Sequence, residues 1–349
     1  MNNNLMIYGA NGYSAKLIIK EAISCGIRPV LAGRNLSEVK KISDFFNLPY
    51  KIFGLDDDST VDENISDIHT ILNCAGPFKH TAKELIEGCL RNKVNYLDIT
   101  GEMPIFHLAY SKDSEAQSAG ITILPGAGFD IIPTDCLAKR LAELLPDAYD
   151  LKLGFLNDGG KISRGTLLTS LDFIGGSGKI RRNGKVINSP IGEYKVEVDL
   201  PNFKMYGFSI PWGDVFTSYF STKIENSEVY LGTKYKILAN TIVLKLSAKI
   251  MGLRFVKTIA QIYISSRITG PTTDERNSAK TFLWGKVTNK KGECVEQVYS
   301  IMEGYNLTAK GALLCAKEIL NGKTKTGSYT PSNLFGHEFL DNFILERVF

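Results

Sequence analysis

Between residues 5 and 135 short apolar runs alternate with amphipathic stretches, and this alternation constrains the fold more than any other feature of the chain. The apolar runs are Leu5–Gly9, Val30–Gly33, Tyr50–Phe53, Thr70–Cys74, Asn95–Ile99 and Ile121–Leu124. They are short and rich in aliphatic residues, as strands buried on both faces are. Between them, Ser14–Cys25, Ser37–Phe46, Thr81–Arg91 and Ser111–Ala119 carry helical periodicity. Strands joined by helices must run parallel through right-handed crossovers, with helices on both faces of the sheet. The expectation for residues 1–135 is therefore α/β, a doubly wound parallel sheet of the Rossmann type.

After about Pro146 the pattern changes. Tyr149–Leu156 is strand-like, and Ser163–Ile174 is helical with Ser163 as its N-cap. Asn183-Gly184 is a strong hairpin signal, and Lys291-Gly292 between Leu283–Thr288 and Cys294–Met302 predicts a second hairpin. Residues 136–305 are thus expected to form an α+β domain with a mixed or antiparallel sheet, for substrate or dimerisation. A last helix, Leu307–Leu320, ends at Asn321-Gly322.

The motif that carries chemistry sits at the first strand–helix turn. Gly9-Ala10-Asn11-Gly12-Tyr13-Ser14-Ala15 runs from strand into helix. Gly9 permits the tight turn, Gly12 lets backbone approach a pyrophosphate, and Ala15 lets the helix pack close to the sheet. The anion would rest on the free N–H groups of the helix. The second strand ends Gly33-Arg34-Asn35, where an NAD site normally offers an acid to the ribose 2′-OH. Arg34 stands there instead, suited to a 2′-phosphate, so NADP(H) is expected over NAD. A solvated Arg at a strand end is the plainer alternative. Strand four ends Cys74-Ala75-Gly76-Pro77-Phe78, small residues that would let a cofactor lie across the sheet. An ordinary Gly-Pro turn explains them equally well. Asp98, Glu102 and Asp130 converge on the same sheet edge, with a cap or loop staple the more frequent role for each.

Composition excludes several other classes. The net charge is +4, too small for a general nucleic-acid binder. No stretch of 18 uncharged residues occurs, so no spanning helix is expected. The first fifteen residues lack the basic and apolar regions of a signal peptide. Six cysteines without a CxxC pair suggest a reducing, cytoplasmic setting, and four isolated histidines make a metal site improbable.

GANGYSA, LAGRN, NCAGPF, NYLDITGE and GFDIIPTD, in this order and spacing, resemble the saccharopine dehydrogenase-like oxidoreductases. The closer similarity is to the branch that includes trans-acting enoyl reductases. The resemblance is dense over residues 5–140. It is thinner at Ser163-Arg164-Gly165-Thr166 with Ser170 and at Thr330-Pro331 to Gly336. It implies an NADP(H)-binding Rossmann domain completed by about 306–349 returning to it. Gly9, Asn11, Gly12 and Tyr13 would form the phosphate loop and Arg34 the 2′-phosphate contact. Cys74 to Phe78 would lie beside the nicotinamide ribose, with Gly128-Phe129-Asp130 bordering the nicotinamide. The motifs do not specify the substrate, and the expected activity is hydride transfer to the C=C bond of an enoyl thioester, with a saccharopine-type imine as the alternative.

Such a reaction needs a donor for the enolate oxygen and a proton for the α-carbon. Ser163, Arg164 and Thr166 at a helix start, together with Tyr96 and Asp130, are the candidates, although Ser163 more simply caps its helix. A saccharopine-type imine would need an arginine cluster. The second domain offers Arg164 and then Arg181 and Arg182, which are expected at a solvated hairpin tip. The third reading is an NADPH-binding protein without turnover at a membrane surface. It rests on Tyr235–Ser266, where apolar runs are punctuated by basic residues and Lys245 and Lys249 share a face. An interior or dimer helix pair is the plainer reading, and a roof over an acyl chain lies between. From Val229 to Thr273 there are seven basic residues and no acid, so the excess charge belongs to this one stretch.

Overall fold

A computed structural model describes residues 4–173, 178–240 and 253–349. The chain divides into two compact units, Met1–Ile132 with Tyr305–Gly336, and Pro133–Gly304 with His337–Phe349.

In the first unit strands and helices alternate: β1 (Leu5–Tyr8), α1 (Tyr13–Ser24), β2 (Val30–Gly33), α2 (Leu36–Phe46), β3 (Tyr50–Ile52), α3 (Asp58–Ile65), β4 (Thr70–Asn73), α4 (Ala82–Asn92), β5 (Asn95–Asp98), α5 (Met103–Ser111), α6 (Asp113–Ala119) and β6 (Thr122–Leu124). The strands lie in the order β3-β2-β1-β4-β5-β6, every pair parallel. The winding therefore reverses between β1 and β4, the place where open α/β sheets hold ligands. α1 buries Ala15, Ile18, Ile19 and Ala22, a spacing that puts all four on one helical face.

Two helices of this unit escape sequence reasoning. α3 has only Val61 and Ile65 buried, too few for a periodic signal, and is started by Asp57, whose carboxylate accepts from Thr60 N at 2.8 Å. α5 opens with Met103-Pro104 and precedes the helix expected at Ser111–Ala119, which proves to be α6 from Asp113.

The second unit contains α7 (Ile132–Leu144, whose first residue belongs to the first unit), β7 (Ala148–Asp158), α8 (Arg164–Phe173), β8 (Gly178–Arg182), β9 (Lys185–Ser189), β10 (Lys195–Leu200), β11 (Phe203–Ile210), α9 (Asp214–Thr222), β12 (Asn226–Thr233), helices Arg254–Arg267 and Thr273–Ser278, β13 (Lys280–Asn289) and β14 (Cys294–Met302). These strands form a mixed sheet in the order β10-β11-β12-β7-β13-β14, with β8 and β9 beside β12. β12 and β7 run parallel, and the other pairs are antiparallel. Asn183 and Gly184, at φ +48° and +74°, make the turn between β8 and β9.

The chain then forms helix Gly304–Leu320, β15 (Gly327–Ser328), helix Pro331–Phe335 and β16 (Ile344–Arg347). β15 adds a seventh parallel strand beside β6. The expectation that all of 306–349 completes the first domain needs correction, because β16 pairs antiparallel with β14. Val298 N donates to Phe349 O at 2.9 Å, and Val348 packs against the core around Leu156, Val298 and Trp284. Apolar contacts and free strand-edge groups on β14 hold the tail there. Lys245 and Lys249, with the apolar run Ile242–Leu244, lie outside the described residues.

Candidate functional site

The loops after β1 and β4 meet. Gly9 has φ +80°, and a methyl built on it would lie 2.8 Å from the N, Cα and Cβ atoms of Ala75. Only hydrogen fits at that crossing. The N–H groups of Gly9 and Ala10 both donate to Ala32 O, which ties the loop to β2, and Cys74 N donates to Tyr8 O. Gly12 is the N-cap of α1 in extended conformation, with no side chain capping the helix and no acid in its first turn. The first turn, Tyr13 and Ser14 with Ala15, is therefore an uncapped positive helix end. Asn11 is exposed, Gly12, Tyr13 and Ser14 are half-buried, and Gly9 and Ala10 are buried beneath them.

A buried hydrogen-bond network supports these loops from below. Asn73, fully buried, donates to Thr81 Oγ1 (3.1 Å) and to the Tyr96 hydroxyl (3.2 Å), and accepts from Ala75 N (3.0 Å). Thr81 donates to Ala75 O at 2.9 Å. Tyr96 donates to Asp98 Oδ2 at 2.8 Å, and Asp98 Oδ1 accepts from Thr100 N and Gly126 N at 3.0 and 2.9 Å. Glu102 accepts from Phe78 N and Lys79 N at 2.8 and 3.1 Å, so its carboxylate clamps the end of the Cys74–Phe78 loop. Phe129 N donates to Thr308 Oγ1 at 3.1 Å, fixing the Gly128-Phe129-Asp130 turn. Asn73, Thr81, Thr100 and Thr308 were absent from the sequence candidates. Single polar residues within apolar runs leave only a faint signal.

The network corrects one candidate. Tyr96 is wholly buried inside the sheet, and burial beside Asp98 raises its pKa well above the ordinary value. Its hydroxyl orients Asp98 and is not presented to a ligand. Asp98 itself is pushed up to about 6 by burial, against the opposing pull of the Gly126 and Thr100 N–H groups and the Tyr96 hydroxyl. Asp130 is pushed up to about 7, first by burial and then by the nearby charge of Glu102. It remains partly accessible and packs over Gly101, where an added methyl would meet its Oδ2 at 2.6 Å. Asp130 is thus a carboxyl that holds or yields a proton near neutrality.

At the end of β2, Gly33 is buried and Arg34 is exposed, with no hydrogen bond or ion pair to it among the described residues. Asn35 is the N-cap of α2, its Oδ1 accepting from Glu38 N at 3.2 Å. Tyr8 is pushed up to about 12 by burial; Arg34 lowers and Asp56 raises its pKa, so both charges lie near its hydroxyl. Asp56, on the loop after β3, is an acid that sequence reasoning passed over. Cys74 is raised by burial and the Asp98 charge, which keeps it a thiol.

Ser163, Arg164 and Thr166 belong to the second unit. Ser163 Oγ accepts from Thr166 N at 3.3 Å, the geometry of an N-cap on α8, while Arg164 and Thr166 are exposed. The expected solvated hairpin tip is overturned for Arg181, which is 4% exposed. Its guanidinium donates to Val215 O (3.0 Å), Gly184 O (2.6 Å) and Phe216 O (3.1 Å) and stacks 4.6 Å from the Tyr219 ring. Arg182 pairs with Glu228. α9 folds over β8 and covers Arg181, whereas Arg182 stays half-buried on the other face of the strand. Among the described residues, no group of three or more His, Cys, Asp or Glu is arranged to hold a metal ion.

No family model matches the chain. The saccharopine dehydrogenase-like oxidoreductase of Bos taurus is 24% identical over 152 residues, covering 38% of this chain and 35% of that protein. The trans-acting enoyl reductase of Mycobacterium leprae is 26% identical over 146 residues, covering 40% and 35%. The matched region is therefore about a third of these relatives' length. Among solved structures, the apo saccharopine dehydrogenase (L-Glu forming) of Saccharomyces cerevisiae matches 99% of both chains with a TM-score of 0.66 at 13% identity. The chain is thus similar over part of its length to the saccharopine dehydrogenase-like oxidoreductases, and its fold is like that of saccharopine dehydrogenase.

Proposed function

We propose that the chain is an NADP(H)-dependent oxidoreductase that reduces the C=C bond of an enoyl thioester. The observation that carries the cofactor reading is the crossing of Gly9 on Ala75 at the reversal of strand order, beside an uncapped helix end. A side chain at Gly9 would push the two loops apart, and the N–H groups at the start of α1 are the donors a pyrophosphate would meet. The cofactor, when bound, supplies the hydride. The Cys74–Phe78 loop, clamped by Glu102, and the Gly128-Phe129 turn, fixed by Thr308, would flank the nicotinamide end. Arg34, exposed at the end of β2 where no acid stands, favours a 2′-phosphate. Asp130, with its pKa near 7, can retain a proton on a carboxyl oxygen for delivery to the α-carbon. Arg181 is committed to three carbonyls, which removes one arginine from any polycarboxylate pocket and disfavours the saccharopine-type imine.

The test has two arms. NADPH and NADH binding are titrated on wild type and on Arg34→Ala, with an expected loss of about 1–3 kcal/mol for NADPH and little change for NADH. Equal losses refute the 2′-phosphate contact, and absence of binding to either dinucleotide refutes the cofactor reading. NADPH consumption is then followed over a panel of enoyl thioesters and of amine–aldehyde pairs. Turnover of the second group alone replaces the substrate class, and turnover of neither with binding intact leaves a non-catalytic NADPH-binding protein.

A further inference from the structure

We propose that Glu102 is a positioning residue for proton delivery by Asp130, joining the Cys74–Phe78 loop and the Asp130 carboxyl to one turn at the carboxyl end of the parallel sheet. The inference rests on the reading of the chain as an enoyl reductase with Asp130 as its proton source. Glu102 is buried, and its two carboxylate oxygens accept from successive N–H groups, Phe78 N at 2.8 Å and Lys79 N at 3.1 Å. Both donors belong to the segment that follows β4, whereas Glu102 itself stands on the turn that follows β5. Its own N–H donates to Thr100 Oγ1 at 3.0 Å, and Thr100 N donates to Asp98 Oδ1, which also accepts from Gly126 N. The carbonyl of Asp98 accepts from Ala127 N at 2.6 Å. The segments after β4, β5 and β6 are in this way joined through two carboxylates.

Asp130 closes the arrangement. Its carboxyl lies over the backbone of Gly101, the residue before Glu102, where an added methyl would meet Asp130 Oδ2 at 2.6 Å and its Cβ and Cγ at 3.1 Å. Glu102 therefore fixes the turn on which the Asp130 carboxyl rests, and its charge adds to burial in keeping the Asp130 proton. It acts on Asp98 in the same sense. Thr308, which reaches the Asp130 turn from helix Gly304–Leu320, is uncharged. When the β-carbon accepts the cofactor's hydride, the electron pair of the C=C bond takes the proton of Asp130 at the α-carbon. Asp130 becomes a carboxylate and recovers a proton from water. An acid with its pKa close to the working pH serves both halves of that cycle. Glutamine cannot stand in for Glu102. Its amide has a single acceptor oxygen, so one of the two N–H groups would face an NH2 group, and it carries no charge.

The test follows the Asp130 carboxyl and turnover side by side on the full chain. Carbon NMR titrates the carboxyl in wild type and in Glu102→Gln, with Asp130→Asn identifying its signal. kcat and KM are measured against pH with NADPH and an enoyl thioester. Glu102→Gln is expected to move the Asp130 midpoint down by about one pH unit, and the alkaline limb of kcat with it, because a proton is lost more readily once the neighbouring negative charge is gone. It is also expected to lower kcat by about tenfold while KM for the thioester stays within about twofold. Gly101→Ala displaces the carboxyl and spares the Glu102 hydrogen bonds. It is expected to lower kcat by a comparable factor, and it carries the test if Glu102→Gln does not fold. An Asp130 midpoint unmoved in Glu102→Gln, or a wild-type kcat in Gly101→Ala, overturns the inference. Wild type inactive on enoyl thioesters, or Asp130→Asn with wild-type kcat, overturns the reading beneath it as well. Loss of kcat in Asp130→Asn beside an unmoved profile in Glu102→Gln overturns the inference alone.

Discussion

Alanine in place of Gly9 perturbs the turn out of β1 in two separable ways. The position has φ +80°, and an L-residue in that region costs about 1–2 kcal/mol. The new methyl would also stand 2.8 Å from three atoms of Ala75, well inside the ~3.5 Å of a carbon–carbon contact. Ala75 cannot simply retreat, because its N–H is held by Asn73 and its carbonyl by Thr81. Relieving that overlap costs about a further 1–3 kcal/mol, for a total of about 2–5 kcal/mol. Gly26 supplies the control, with φ +77° and nothing within 4 Å of an added methyl. Gly26→Ala should therefore cost the backbone share alone. Both tryptophans, Trp212 and Trp284, lie in the other unit. Hydrogen exchange of the β1 and β4 amides is thus the suitable assay, read as protection free energy in each variant. Dinucleotide binding should be lost in Gly9→Ala and kept in Gly26→Ala. Adding Ala75→Gly to Gly9→Ala should restore only part of the stability, since one of the three atoms in contact is removed. Equal loss of protection in Gly9→Ala and Gly26→Ala would refute the crossing of the two loops.

Two further outcomes follow from the buried charges. Asp98 and Asp130, raised to about 6 and about 7, bind their protons more tightly in the native state than in the unfolded chain. Their contribution to stability is therefore greatest at and below about pH 4 and falls as pH rises to about 7, on the order of a few kcal/mol for each group. His69, whose pKa burial lowers, acts in the opposite direction. The decisive quantity is thus the difference between wild type and Asp98→Asn in denaturant titrations at several pH values: the variant should lose part of the decline, and an unchanged slope would refute burial of Asp98 as its cause. Arg181→Ala should destabilise the second unit by more than about 3 kcal/mol, because three buried carbonyls lose a charged donor. Tryptophan fluorescence in urea reads that loss. Arg181→Lys should recover only part of it, since one ammonium cannot reproduce the guanidinium fork, and a loss below roughly 1 kcal/mol would contradict the buried contacts.

The strands of the first unit were legible because each is a short aliphatic run whose neighbours in sequence are its boundaries. The expected Leu5–Gly9 and Val30–Gly33 correspond to β1 and β2 almost residue for residue. The hairpin at Asn183-Gly184 was legible for the same reason, as turn chemistry is confined to the two residues that adopt positive φ. α3 was missed because its apolar face is only Val61 and Ile65. Tyr96 was misjudged because its burial depends on Asn73 and Asp98, each contributed by the sheet around it.

The sequence by itself determined the alternation of strands and helices, the glycine turn that opens α1 and the cation in place of an acid after β2. These are encoded in windows of a few residues, where periodicity and backbone freedom act locally. Tertiary structure decided that Gly9 meets Ala75, that Glu102 clamps Phe78 and Lys79, that Arg181 turns inward and that β16 joins β14. It also turned Phe255, Ile259, Ile262 and Tyr263 of helix Arg254–Arg267 outward, against the expectation of an interior helix pair. Each of these depends on which distant residues exclude water from a group or leave it exposed, and desolvation is set by neighbours in space.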